Sequence, residues 1–290
     1  MWLTKCVVFI ALMTAVTHQT FYYDYGDDIA YTPYSLMEQN GIVRAIDENF
    51  KPDWAPILHN KWIHLRELEW AFNCSSVDRT MGTRIPYHIA WDEDLLKFTW
   101  IKPSRGLFCQ IMNYMIDNAF REWLDPLADK LSHHSVDRGT NTGSNPSGLT
   151  TKISFEPFWH HHDDGSPCMF TSRNTLAHAN GDFVHINAEI DWCVMGSKTP
   201  RYLLKVHSGN VILEPEPTLD ASYGQALVQY MNRNKFNCIN LYTVLIHELG
   251  HTLGLGHASL ATSLMFPTAG SPLNQLHSSD FTFSAQLYRN

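Results

Sequence analysis

Charge is scarce in this 290-residue chain: Asp, Glu, Lys and Arg make up 17% of it. Basic residues are the smaller share, 21 Lys and Arg against 29 Asp and Glu, and the net charge is −8. A nucleic-acid binder normally presents a basic face, so that class of partner is set aside. Beyond the N-terminal region no apolar run reaches the roughly 18 residues that a membrane span needs. No internal repeat is found. What the chain does have is 44% hydrophobic residues, enough for a packed core and too many for a disordered chain. It also has 16 His against six Cys, an excess that makes a metal site worth seeking.

The N-terminus reads as an address. Lys5 precedes an apolar run from Cys6 to Val16, the form of a secretory signal peptide over residues 1–19. Export places the chain in an oxidising compartment, so the expected location is secreted and extracellular, with no membrane span in the mature chain. Cys6 leaves with the leader. Cys74, Cys109, Cys168, Cys193 and Cys238 remain, an odd set, so at least one thiol stays free or pairs between chains. Sequence does not give the pairing.

Residues 21–78 begin acidic and aromatic, then show helical spacing at Leu36/Met37 and Ile42/Val43/Ile46 and again around Leu58–Phe72. They read as a small helical unit. Lys97–Ile101 is strand-like. Ile111, Met115, Ala119, Phe120 and Trp123 recur at helical steps and predict an amphipathic helix ending near Pro126. Residues 132–151 are polar and rich in breakers, and read as a loop. Strands are expected at Thr151–Phe155, Thr175–Ala179 and Phe183–Ala188, with a hairpin over Leu203–Leu213 and a helix after Asn240. Mixed elements without regular βαβ alternation favour an α+β domain.

The chemistry is concentrated in His-Glu-Leu-Gly-His-Thr-Leu-Gly-Leu-Gly-His, residues 247–257. His247 and His251 stand four apart, so on a helix both rings project from one face toward one ion. Leu241, Val244, Leu245 and Leu249 form the buried stripe of that helix. Gly254 accepts the left-handed conformation that ends a helix, and the reversal lets His257 supply a third nitrogen. Three protein ligands leave a fourth position open, the mark of a catalytic zinc rather than a structural one. Glu248 is placed to take a proton from the attacking water and deliver one to the leaving amine. Met265 follows in Ser263-Leu264-Met265-Phe266-Pro267, and a Met turn after this motif marks the metzincins.

Several further segments resemble the matrix metalloproteinases, or matrixins. The turn 263–267 is similar to that family's small-Leu-Met-Tyr-Pro. Leu176-Ala177-His178-Ala179 is similar to its Leu-Ala-His-Ala strand, and Ala119-Phe120-Arg121-Glu122-Trp123 to the end of its first helix. Asp280 and Leu287-Tyr288 fit its C-terminal helix. Ala258 departs from the Ser usual after the third ligand. The resemblance implies a metzincin catalytic domain, with a twisted mixed sheet and an active-site helix, behind a small helical pro-segment. It implies a second, structural zinc at His162, Asp164, His178 and His185, chosen over the neighbouring His160, His161 and Asp163 because Gly165 and Pro167 then fall as in the family. It implies a substrate strand lying along Leu176 and Ala177, a Met265 floor under the metal, and a pocket wall from Pro267 to Leu276. Two Zn2+ ions are expected. Ca2+ is expected to bind weakly or not at all, since Phe170-Thr171-Ser172 stands where the family has Phe-Asp-Gly and the spacing of Asn187, Glu189 and Asp191 differs.

Matrixin pro-segments end in Pro-Arg-Cys-Gly-x-Pro-Asp, and Phe-Asn-Cys-Ser-Ser-Val-Asp at 72–78 is similar in Cys74 and Asp78. The resemblance implies that Cys74 is a cysteine switch, its thiolate closing the zinc site until the segment is cut away. The expected organisation is a leader at 1–19, a pro-segment at 20–80 and a zinc metalloproteinase domain at 81–290, without a C-terminal propeller. The implied function is a monomeric, latent endopeptidase acting on extracellular matrix-type proteins, with a protein or peptide as substrate and a proteinaceous inhibitor allowed. Two rival readings remain open: another metzincin, of astacin or reprolysin type, and a zinc-stabilised binding protein without catalysis.

Overall fold

The computed structural model describes residues 29–30, 67–124, 132–135, 150–162, 164–179, 182–195, 202–215, 217, 221–233, 238–258 and 263–266. The expected leader, the pocket wall from Pro267 to Leu276, Asp163, and the C-terminal Asp280 and Leu287-Tyr288 lie outside these residues.

The principal sheet has six strands: β1 (Ile29–Ala30), β2 (Glu67–Phe72), β5 (Ser132–Ser135), β6 (Thr150–Glu156), β9 (Thr175–Ala179) and β10 (Phe183–Asn187). Their order is β1-β9-β10-β6-β2-β5. The run β10-β6-β2-β5 is parallel, while β9 is antiparallel to β10 and β1 to β9. This is the mixed sheet of an α+β fold. A two-stranded ribbon, β7 (Trp159–His161) with β8 (Pro167–Met169), rises between β6 and β9.

A second sheet is built from β3 (Tyr87–Asp92), β4 (Lys97–Ile101), β11 (Trp192–Val194), β12 (Tyr202–His207), β13 (Asn210–Pro215) and β14 (Ile239–Asn240). The order is β13-β12-β3-β11-β14, with β4 also paired to β3. Short helical turns follow one another over residues 74–84, and three longer helices lie among the described residues: α1 (Arg105–Leu124), α2 (Ala221–Arg233) and α3 (Leu241–Thr252). In α1, Phe108, Ile111, Met112, Met115, Ile116, Ala119, Phe120 and Trp123 recur at three- and four-residue steps and are all buried. Every residue of α3 is buried, as befits a helix in the core, and it packs on α1, β9, β10 and β11. The Trp123 indole N–H donates to Ile246 O at 2.8 Å and bolts the two helices together.

Two expectations about elements are corrected here. Residues 67–72 form a strand, not a helix, and Leu68, Trp70 and Phe72 do alternate along it. That strand, β2, lies between β5 and β6 inside the sheet. Ser132–Ser135, expected in a loop, is strand β5; its pairing with β2 satisfies a backbone whose side chains give no strand signal. Helix α2 had not been anticipated.

Candidate metal centres

Helix α3 sets the first centre. His247 and His251 are one turn apart, and each donates its Nδ1–H to a carbonyl: His247 to Leu264 O and His251 to Leu255 O, both at 2.7 Å. Those bonds fix the tautomers, so both Nε2 lone pairs point inward and meet at 2.9 Å. Two converging lone pairs repel unless a cation or a proton lies between them, so this donor set fits a metal ion. The helix ends as Gly254 takes φ 91°. Gly254 N–H donates to His251 O at 2.9 Å and Leu255 N–H to Gly250 O at 3.0 Å, the paired bonds of a Schellman cap. The reversal returns His257, and the ligand atoms of His247, His251 and His257 all lie within 4.8 Å of one another.

Burial, and then the neighbouring His251 and His257, hold the His247 imidazole well below its ordinary pKa, so it stays neutral and able to ligate. Glu248, next to the first histidine, is completely buried. Beneath the helix lies Met265, also buried, with its N–H donating to Ser263 Oγ at 3.0 Å. Its carbonyl accepts from Ala258 N–H at 2.8 Å, tying the Met turn to the residue after the third histidine. Gly250 makes that packing feasible: a Cβ there would run into Met265 Sδ and stand 2.9 Å from Trp123 Cζ2.

The second cluster is His160, Cys168, His178 and His185, whose ligand atoms lie within 4.8 Å of one another. His160 and Cys168 are cross-strand partners in the β7–β8 ribbon; His178 and His185 are cross-strand partners in β9–β10. His160 Nε2 and His178 Nε2 lie 2.9 and 3.1 Å from His185 Nδ1, and Cys168 Sγ lies 3.4 Å from His178 Nε2. His160 donates its Nδ1–H to Pro157 O at 2.9 Å, leaving Nε2 as the donor atom. Burial is the main reason that the His160 pKa falls to about 4 and that of His185 well below its usual value.

The residues grouped here differ from the expected register. His162 and Asp164 were to be the first two ligands. His160 lies in β7 and inside the cluster, whereas His162 follows the end of that strand. His162 sits two residues further out, its ring against those of Phe183 and His185. Asp164 is exposed in the ribbon's turn, where Ser166 donates its N–H and its hydroxyl to Asp164 Oδ1 at 2.8 and 2.6 Å. Those bonds hold its carboxyl below the usual range. Cys74 is corrected too. It forms a disulfide with Cys109 of α1, so its sulfur cannot act as a thiolate switch. Cys193 pairs with Cys238, and Cys168 is the described cysteine outside a disulfide. The signal for Cys168 lay in strand pairing, which no local motif reveals.

Leu176 and Ala177 are buried on β9 beside His178. The outer edge of β9 is taken by β1, with Ile29 opposite Ala177 and Ala30 opposite Thr175.

Known proteins resemble this chain over part of its length. The family model described as Matrixin matches residues 90–289. Metalloendoproteinase 2-MMP of Arabidopsis thaliana is 25% identical over 190 residues, 64% of this chain and 39% of that protein. Metalloendoproteinase 5-MMP of the same plant is 28% identical over 109 residues, 37% of this chain and 22% of that protein. Matrilysin of Rattus norvegicus is 39% identical over 56 residues, 19% of this chain and 20% of that protein. The chain thus spans less than half the length of these curated relatives.

Proposed function

The chain belongs to the matrixin family, and on that footing we propose that it is a secreted zinc endopeptidase, made latent, that hydrolyses peptide bonds of extracellular matrix-type proteins. The observation that carries the reading is one helix presenting two inward Nε2 atoms, a third imidazole returned by the Gly254 reversal, and a buried carboxylate between the two helical ligands. His247, His251 and His257 would hold the catalytic ion. Zinc in such a site supplies Lewis acidity toward a peptide carbonyl and makes water nucleophilic near neutral pH. Glu248 accepts the proton of the attacking water and passes it to the leaving nitrogen, so no covalent intermediate is needed. Leu264 O and Leu255 O keep the two helical imidazoles oriented through this exchange.

Substrate binding follows from the sheet. The backbone of Leu176 and Ala177 lies on β9, the last strand of the sheet apart from β1. An extended peptide adds to such an edge by main-chain hydrogen bonds. In this chain Ile29–Ala30 already occupies that edge, antiparallel to β9. Latency then rests on an N-terminal segment standing in for substrate, a device that requires no cysteine ligand. The Cys74–Cys109 and Cys193–Cys238 disulfides support export to an oxidising compartment. Among the described residues no helix is long and apolar enough to cross a membrane.

The test is cleavage of gelatin or a quenched peptide by the secreted chain after limited proteolysis, with and without a zinc chelator. Chelation abolishes the activity, and Glu248→Ala keeps the metal but loses at least about a hundredfold in rate, the usual worth of a general base. Unchanged cleavage by that variant would defeat the mechanism. Metal retention with no cleavage by the unmodified chain would favour a non-catalytic binder.

A further inference from the structure

We propose that the second cluster is a closed site of three imidazoles and one thiolate, with Cys168 as its fourth ligand, for a borderline-soft divalent ion of the zinc type. The architecture places four donors with no help from a loop. Each of two antiparallel pairs contributes one directly opposed couple, His160 with Cys168 and His178 with His185. The ribbon and the hairpin face each other, and the separations of 2.9, 3.1 and 3.4 Å between neighbouring donor atoms suit four ligands around one small ion. His160, His178 and His185 are buried, and Cys168 is half-buried.

A carboxylate is the obvious competitor for the fourth position. Asp164 is exposed and engaged by Ser166 within the turn that joins His161 to Pro167, and it is not among the grouped donors. The four other cysteines among the described residues are spent in two disulfides, which leaves Cys168 as the described thiol in a chain built for an oxidising compartment. A thiolate with imidazoles selects zinc-like ions over calcium or magnesium, which prefer oxygen. Binding releases the thiol proton to solvent, and the sulfur lone pair enters the metal bond. Four protein ligands leave no open position, so the ion clamps the ribbon to β9 and β10 and has no catalytic part.

This inference does not depend on the peptidase reading, because none of its readouts is hydrolysis. The probe is the full chain reconstituted with Co2+. A thiolate-to-cobalt charge-transfer band in the near ultraviolet is expected, and Cys168→Ser removes it. Cys168→Asp keeps two metal ions per chain by elemental analysis yet has no such band, and a His162→Ala/Asp164→Ala variant keeps both ions and the band. If the serine variant does not fold, the unmodified protein still decides the matter: Cys168 alkylates slowly when loaded with zinc and rapidly after chelation. Absence of the band in the unmodified chain, its survival in Cys168→Ser, or equal alkylation with and without metal overturns the assignment.

Discussion

Gly250 illustrates how tightly the residues around the first centre are specified. It sits inside the motif between the two helical histidines, and its missing side chain is where Met265 Sδ and the Trp123 ring come to rest. Gly250→Ala should displace Met265, and overpacking of this kind costs about 1–3 kcal/mol. Urea denaturation of the two proteins measures it; equal midpoints would mean that the Met turn is not held by this contact. His88 makes a second residue-scale prediction, on acid stability. It is buried in β3, its Nε2 accepts from the Tyr202 hydroxyl at 2.9 Å, and burial lowers its pKa to about 4 from 6.5. The unfolded chain therefore takes up a proton as pH falls below 6.5, and the folded chain does not until about 4. The stabilisation is full above the unfolded value and shrinks between the two, by an amount on the order of 3 kcal/mol. His88→Gln should lose less stability than the unmodified chain between pH 7 and pH 4 in urea titrations; identical losses would reject the assignment.

Among the elements, α3 was the most legible. Its stripe of Leu241, Val244, Leu245 and Leu249, its ligand spacing and its terminating Gly254 are all local, and the structure brings the three histidines together at its end. Element β2 was not legible as a strand, because the helical spacing around Leu58 ran on into it and masked the alternation of Leu68, Trp70 and Phe72. Short strands at the sheet margins depend on staples. Cys193 of β11 and Cys238, just ahead of β14, close a span of 45 residues that includes β12, β13 and α2. Replacing both by Ser should cost about 2–4 kcal/mol, as expected for opening a loop of that size. The first centre should still bind zinc in the folded fraction, since α3 begins after the bridge. Chemical denaturation with metal analysis of the folded protein tests both parts; a normal denaturation midpoint would show that the bridge adds little.

For the molecule as a whole, the question is what lies along β9. Ile29–Ala30 pairs with the edge that a peptide substrate would use under the proposed function, and on that proposal covering and opening the edge would be the means of control. A chain beginning just ahead of β2, near residue 65, should cleave peptide without prior proteolysis and at least about tenfold faster than the longer form, which corresponds to roughly 1.4 kcal/mol of competition for the edge. Initial rates of the two forms at equal zinc content decide it, and equal rates would end the edge-occupation account. The same experiment separates this device from a thiol switch, because Cys74 stays bonded to Cys109 in both forms.

Residue order alone pointed to helix α3, to the imidazoles of His247, His251 and His257 that the structure brings together, and to the adjacent Glu248. Their geometry follows from helical periodicity and one glycine turn, both of which act over a few residues. Three-dimensional arrangement decided what joins distant segments: His160 rather than His162 grouped with His178 and His185, Cys168 rather than Asp164 beside them, Cys74 with Cys109, and β2 inside the sheet. Each depends on which backbone rows pair. Parity along a strand narrows the candidates to one face but leaves their register to tertiary packing.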